Sequence, residues 1–236
     1  MRLEKFLADQ LCITRSQVKD YCKKNIVLLN QEKIKSFGVS IDPNSDQITV
    51  NGQELTYKKF GYYMYHKPAG EVSANKDAHY KTVMDQFTFG KKDQYFPVGR
   101  LDVDTEGLIL ITNDGDFSHM LMSPKKNATK KYYFEAEGML DTDKIERLET
   151  GIFLENEEIM TKPAKVEVLE QDEATVKATI EIVEGKFHQV KRMLSSVQCK
   201  ITYLKRVQIK SLSLDENLAK GSYRELTKEE LEKLYE

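Results

Sequence analysis

The sequence has no tryptophan, and only three cysteines, four histidines and five prolines in 236 residues. The scarcity of cysteine and histidine closes off two classes of protein. Cys12, Cys22 and Cys199 make an odd number with no CxxC spacing, which argues against a disulfide framework or a zinc site. Cys12 and Cys22 fall in a helical region and read most simply as core thiols. His66, His79, His119 and His188 show neither HxxxH nor HExxH spacing, so no structural metal is expected. No apolar run reaches the ~18 residues that would cross a bilayer. The opening MRLEKFLADQ carries charges every few positions where a secretory segment would be apolar. A cytoplasmic protein with no membrane partner is expected. An excess of charge is missing too: 36 Lys and Arg stand against 38 Asp and Glu, for a net charge of −2. That total does not mark a nucleic-acid binder.

The composition that is present, 40% hydrophobic and 31% charged, is that of an ordinary globular chain long enough to bury a sizeable core. The charge is unevenly spread. Residues 1–40 hold eight Lys/Arg against four Asp/Glu. The window 186–210 holds Lys186, Lys191, Arg192, Lys200, Lys205, Arg206 and Lys210 with no acid. Lys125, Lys126, Lys130 and Lys131 are likewise unopposed in 121–134. Such segregation fits a positive face for a polyanion, and equally a set of unrelated solvated faces.

Residues 1–59 read as a small separate unit, followed by a larger one over 60–236. Thr14-Arg15-Ser16-Gln17 fits a capping box, and VKDYCKK continues as a basic amphipathic helix that Asn25 would stop in a left-handed turn. IVLLN and QITV read as short strands, with a turn at Asn51-Gly52. In the larger unit, YYMYHKPAG is a β-rich run broken by Pro68 and Gly70, and Thr82 is placed to cap a short helix over VMDQF. GLILIT (107–112) is a near-continuous apolar run, as expected for a central buried strand. FSHMLM, DTDKIERLETG (capped by Thr142, stopped by Gly151) and HQVKRMLSS read as helices. KYYFEAEG, VKATIEIVEG and ITYLKRVQIKSLSL read as strands, and Thr227 through Glu230 repeats the capping box before a last helix. Unequal helices among many strands predict an α+β fold.

The densest stretch for chemistry is VGRLDVDTEGLILITNDG (98–115). A carboxylate on the loop entering a rigid strand is held by the scaffold. Spacing leaves three readings of its acids open. Asp102, Asp104 and Glu106 alternate and could hold Mg²⁺, could be plain loop acids, or could include one catalytic carboxylate.

This stretch resembles the signature of the RsuA branch of pseudouridine synthases, GRLD followed by two variable residues, TxGL and a hydrophobic strand. The resemblance runs on through YHKPAG (65–70), similar to the KPxG motif, and Lys130-Lys131-Tyr132, similar to the KxY motif. EGKFHQVKRML (184–194) resembles the late basic motif, and LKR with SYRELT (222–227) the carboxy-terminal pattern. Residues 1–59 resemble an S4 RNA-binding domain, with two departures: Asn25 and Gln31 stand where glycines are usual. In order and extent the likeness covers essentially the whole chain.

What the resemblance implies is an enzyme that isomerises a uridine of ribosomal RNA, without cofactor or metal. Its fold would be an S4-like α/β domain over 1–59 joined to a synthase domain with a mixed, largely antiparallel sheet flanked by helices. Asp102 takes the place of the catalytic aspartate, acting as nucleophile or as a base that opens a glycal route. Lys191 would be the neighbouring cation that favours its ionised form. Tyr132 matches the active-site tyrosine, with Tyr133 left as a core aromatic on the opposite face of the strand. Arg100 matches the arginine that fills the space left by the extruded base. Lys67, Lys130 and Arg192 would touch RNA beside it, and Arg15, Ser16, Lys19, Lys23 and Lys24 would grip backbone from the first domain. HQVKRM and the compact length point to 16S rRNA or a small-subunit assembly intermediate as partner, with the protein a monomer. The rivals are a synthase acting on 23S rRNA, a non-catalytic S4-type assembly factor and a Mg²⁺-dependent nuclease.

Overall fold

The computed structural model describes residues 1–11, 13–34, 36–88, 92–123, 126–154 and 158–235. Cys12 and Lys125 lie outside them. Two compact units emerge, Met1–Gly61 with Phe87–Gln94, and Tyr62–Gln86 with Tyr95–Glu236.

The first unit opens with α1 (Leu3–Gln10) and α2 (Arg15–Lys24). Strands β1 (Val27–Leu29), β2 (Glu32–Lys33), β3 (Ile48–Val50) and β4 (Gln53–Glu54) follow, paired antiparallel in the order β2-β1-β3-β4. Leu3, Phe6 and Leu7 of α1 meet Val18 of α2 and Val27, Ile48 and Val50 of the strands in one core, with Cys22 half-buried at its edge. Burying each such aliphatic or aromatic side chain is worth about 1.5–3 kcal/mol. The capping box forms: Gln17 N–H donates to Thr14 Oγ1 at 3.4 Å, and Thr14 N–H donates to Gln17 Oε1 at 2.9 Å. Asn25 departs from expectation. Its backbone is extended, and it closes α2 with its side chain, whose Nδ2 donates to the Tyr21 carbonyl at 2.8 Å.

Positive φ appears instead at Asn30 (51°) and Gln31 (69°), in the turn joining β1 to β2. A glutamine there pays the Cβ–carbonyl repulsion that a glycine avoids, about 1–2 kcal/mol before the entropy of glycine is set against it. Gln31→Gly is therefore expected to stabilise this unit by about 0.5–1 kcal/mol in denaturant unfolding. A loss of stability would show that the glutamine side chain holds the turn in a way its geometry does not reveal.

The strands of the second unit, in chain order, are β5 (Tyr62–Lys67), β6 (Phe96–Val98), β7 (Glu106–Thr112), β8 (Lys130–Glu137), β9 (Phe153–Leu154), β10 (Ile159–Met160), β11 (Lys165–Gln171), β12 (Thr175–Ile182), β13 (Lys200–Ile209), β14 (Leu212–Ser213) and β15 (Tyr223–Glu225). Among them β9 and β10 form a separate hairpin. The remainder make one sheet in the order β11-β12-β8-β13-β7-β5-β15, with β14 on β13 and β6 on β7. Every pairing is antiparallel except β13 with β7. The sheet is thus mixed and largely antiparallel, as expected. Helices α3 (Gly115–Met122), α4 (Thr142–Thr150), α5 (Gln189–Ser196) and α6 (Lys228–Tyr235) flank it.

Strand β7 is buried at all seven positions, which explains the apolar run of Leu108 through Ile111. Leu108 and Leu110 pack with Met64, Val98, Phe117, Leu121, Ile209 and Leu234 in one buried cluster. Three local expectations are corrected. Residues 83–86 form turns, not a helix, because Thr82 N–H donates to Asp85 Oδ2 and Val83 N–H donates to the Val72 carbonyl. Helix α4 is capped by Asp141, one residue before Thr142, through Lys144 N–H at 2.9 Å. Residues 211–214 do not extend β13: Lys210 (φ 50°) turns the chain back, so that β14 pairs antiparallel with the end of that strand.

Candidate active site

One edge of β7 pairs with β5 along its length, while the other is shared: β13 holds Glu106 and Gly107, and β6 holds Leu110 through Thr112. The two neighbours diverge in between. The Leu108 carbonyl accepts from Arg206 Nε at 2.7 Å. Gly107 sits where β13 comes closest: at φ +106° a Cβ would overlap the Arg206 carbonyl oxygen. The loop from Gly99 (φ +74°) to Thr105 spans the mouth of this split, carrying Arg100, Asp102 and Asp104.

The loop is bound from beneath. Thr105 N–H donates to the Asp102 carbonyl at 3.1 Å, closing a tight turn. The ammonium of Lys67, 0% exposed, donates to the carbonyls of Pro68, Asp102, Val103 and Thr105 at 3.0, 3.0, 3.3 and 2.8 Å. Burial pulls its pKa down to about 8. Gly70 N–H donates to the Val103 carbonyl at 2.7 Å, and the Ser73 hydroxyl exchanges hydrogen bonds with both backbone groups of Leu101. Lys67 is therefore not a phosphate contact. Its Nζ is inside the protein, where phosphate does not reach.

Above this floor the Asp102 carboxylate is 30% exposed, with one oxygen 3.1 Å from Lys191 Nζ and the other 3.5 Å from His188 Nε2. Lys191 reaches over from α5 and also meets Asp104 at 2.6 Å. Partial burial works against its charge, but the bonds to Asp104 and Asp102 outweigh this and raise its pKa. Lys191 stays cationic at neutral pH. Asp102, Lys191, His188, Arg100 and Tyr132 line one cavity of about 80 Å³, with Leu204 at its wall. Tyr132 is buried on the cavity side of β8. Tyr133 is on the other face but is not core: half-exposed, it donates its hydroxyl to Glu135 at 2.7 Å and packs edge-on against Tyr203.

The three alternating acids do not converge. Glu106 turns away to accept from Tyr203 at 2.6 Å and to pair with Lys220 at 2.6 Å. Among the described residues no group of three or more His, Cys, Asp and Glu is placed to hold a metal ion. Of the other basic positions, Arg100 is exposed, and Arg192 is half-exposed with its guanidinium on the Phe187 carbonyl at 3.3 Å. Arg15, Ser16, Lys19, Lys23 and Lys24 are exposed on α2, with Lys23 paired to Asp20 at 2.8 Å. Lys130 is a correction like Lys67: buried, it donates to the Ala128 carbonyl at 2.8 Å. Burial and the nearby Arg206 lower its pKa to about 8. The sequence reading gave no role to His188, which lines the cavity, or to Arg206, which is buried behind it on the Leu108 carbonyl. Their signal was their place inside the quoted motifs, HQVKRM and LKR.

Residues 61–196 match the model of the RNA pseudouridylate synthase family. The chain is 41% identical to an uncharacterized RNA pseudouridine synthase of Bacillus subtilis, over 100% of this chain and 99% of that one. It is 40% identical to ribosomal small subunit pseudouridine synthase A of Haemophilus influenzae, over 99% of both chains. Among solved structures, a pseudouridylate synthase crystal structure aligns over 99% of both chains at 37% identity, with a TM-score of 0.70.

Proposed function

Because this chain belongs to the RNA pseudouridylate synthase family, we propose that it isomerises one uridine of small-subunit ribosomal RNA, with Asp102 as its catalytic carboxylate. The observation that carries this is the geometry at Asp102: an accessible carboxylate, fixed on a braced turn, 3.1 Å from a lysine ammonium and on the same cavity as Tyr132. The reaction breaks the N1–C1′ bond, turns the uracil and joins C5 to C1′, so neither redox chemistry nor hydrolysis is involved. The carboxylate attacks C1′ or takes the C2′ proton, and the Lys191 ammonium 3.1 Å away lies beside it in either route. Tyr132 offers its ring to the uracil and its hydroxyl to the C5 proton.

The cavity of about 80 Å³ has room for two or three waters. A pyrimidine enters only as the rim side chains swing out, and the exposed Arg100 is the one best placed to do so and then to occupy the gap left in the RNA stack. Residues 1–59 act as an S4-like RNA-holding domain through the exposed Arg15, Ser16, Lys19, Lys23 and Lys24 of α2, which position backbone without reading sequence. The protein acts in the cytoplasm, as a monomer. The small-subunit relative, similar from end to end, supports the choice of RNA. Mapping pseudouridines in both ribosomal RNAs of a deletion strain tests it. Loss of one site from 16S rRNA is the expected result, and loss from 23S rRNA alone would overturn the assignment.

A further inference from the structure

Phe187 is 71% exposed, the largest exposure among the bulky apolar side chains described. It sits one residue from a group that touches the catalytic carboxylate. Its ring stacks on His188 with centroids 3.8 Å apart and planes 19° from parallel, and His188 Nε2 is 3.5 Å from Asp102. Consecutive residues stack in this way because His188 is left-handed, at φ 47° and ψ 35°. That conformation is uncommon outside glycine and gathers at functional sites.

The turn presenting Phe187 is pinned throughout. Gln189, buried, accepts from Lys186 N–H at 2.9 Å and donates to Glu184 at 2.7 Å. Its own N–H donates to the Lys186 carbonyl at 3.1 Å, and Arg192 holds the Phe187 carbonyl. A rigid, strained turn thus holds one aromatic face in water beside the site, with Arg100 and Lys191 on the adjoining cavity. Flat aromatic faces in a cationic setting are what unstacked nucleobases bind.

We propose that the solvent face of the Phe187–His188 stack is a base-stacking subsite that takes a nucleobase neighbouring the target uridine. The inference rests on the activity read above. When the uridine leaves its stack, its neighbour loses a partner, and Phe187 replaces it. His188, clamped between Phe187 and Asp102, ties occupancy of this subsite to the position of the carboxylate.

The test uses the full-length protein and a small-subunit rRNA transcript labelled with [5-³H]uridine, which releases tritium as C5 bonds to C1′. Phe187→Ala is expected to lose roughly tenfold in kcat/KM, most of it as a raised KM. Phe187→Leu should lose as much, since it keeps apolar bulk without a stacking face, while Phe187→Tyr should restore KM to within about threefold. The residue is exposed, so the melting temperature should not move. An Ala variant with wild-type KM, or a Leu variant as good as Phe, overturns the subsite. Binding of the same transcript to Asp102→Asn with and without Phe187→Ala judges it independently: about tenfold weaker binding supports it, and equal binding overturns it. A wild-type protein that releases no tritium sinks the activity reading instead.

Discussion

Asp102→Asn is expected to lower pseudouridine formation by roughly a thousandfold or more, while RNA affinity changes by less than about threefold. The amide keeps the size and the hydrogen-bonding reach of the carboxylate but can neither attack C1′ nor take a proton from C2′. The neighbours make this a clean experiment. Lys191 keeps Asp104 at 2.6 Å, so the substitution leaves no buried cation alone. The turn itself is held through backbone carbonyls that the change does not touch. Thermal stability should stay within about 2 °C of wild type, as for a partly exposed polar exchange. Single-turnover tritium release and filter binding measure the two quantities. Activity above about a tenth of wild type would place the reacting carboxylate elsewhere.

Lys67→Met should produce the second large effect, and by a different route. Methionine fills the channel but donates nothing, leaving the carbonyls of Asp102, Val103 and Thr105 without their shared ammonium. The expected loss is roughly 3 kcal/mol, or about 6–12 °C in melting temperature for a chain of this length. Activity measured well below that transition should still fall by about a hundredfold, because a small displacement of the reacting group is enough. A variant that melts early yet keeps wild-type kcat would reduce Lys67 to a packing role.

The same residue predicts a pH effect. Burial holds its pKa at about 8, against ~10.4 in an unfolded chain. Between these values the unfolded chain binds a proton that the folded one has shed, so this group adds stability as pH rises from about 8 to about 10.4. Activity runs the other way, since a neutral amine has two N–H groups for four carbonyls. kcat/KM should therefore decline as pH passes about 8. A profile flat to about 9.5 would separate the ammonium from the support of the loop.

Much of this was legible before any coordinates. The apolar run in β7, the capping boxes at Thr14 and Thr227 and the turn at Asn51-Gly52 follow from local rules, and all four form. The quoted motifs also brought Asp102, Tyr132 and Lys191 onto one cavity. What local rules missed was the direction of long side chains whose partners are far away in sequence. Lys67 ends a strand beside a proline and looks like a loop cation, yet three of its four acceptors lie 35 to 38 residues on, across a sheet pairing with Gly107. Lys130 was open to a better reading. It is two residues from Tyr132, so the alternation of β8 puts both on the inward face and leaves Lys131 to the outside, where it meets Glu167 at 3.2 Å. Asn25 failed for another reason. It has two ways to end a helix, through its backbone or through its amide, and the amide prevailed.

The grip on the 102–105 turn has one further implication. Lys67 and Gly70 bind peptide oxygens, which every amino acid possesses, and none of the turn's side chains. The shape of this segment is thereby uncoupled from the identity of Val103 and Asp104. Substitution at those two places changes what the rim presents, as Asp104 does by drawing on Lys191 at 2.6 Å, and the Asp102 carboxylate stays where it was. A scaffold of that kind can change its choice of target by substitution at two positions without first losing its chemistry.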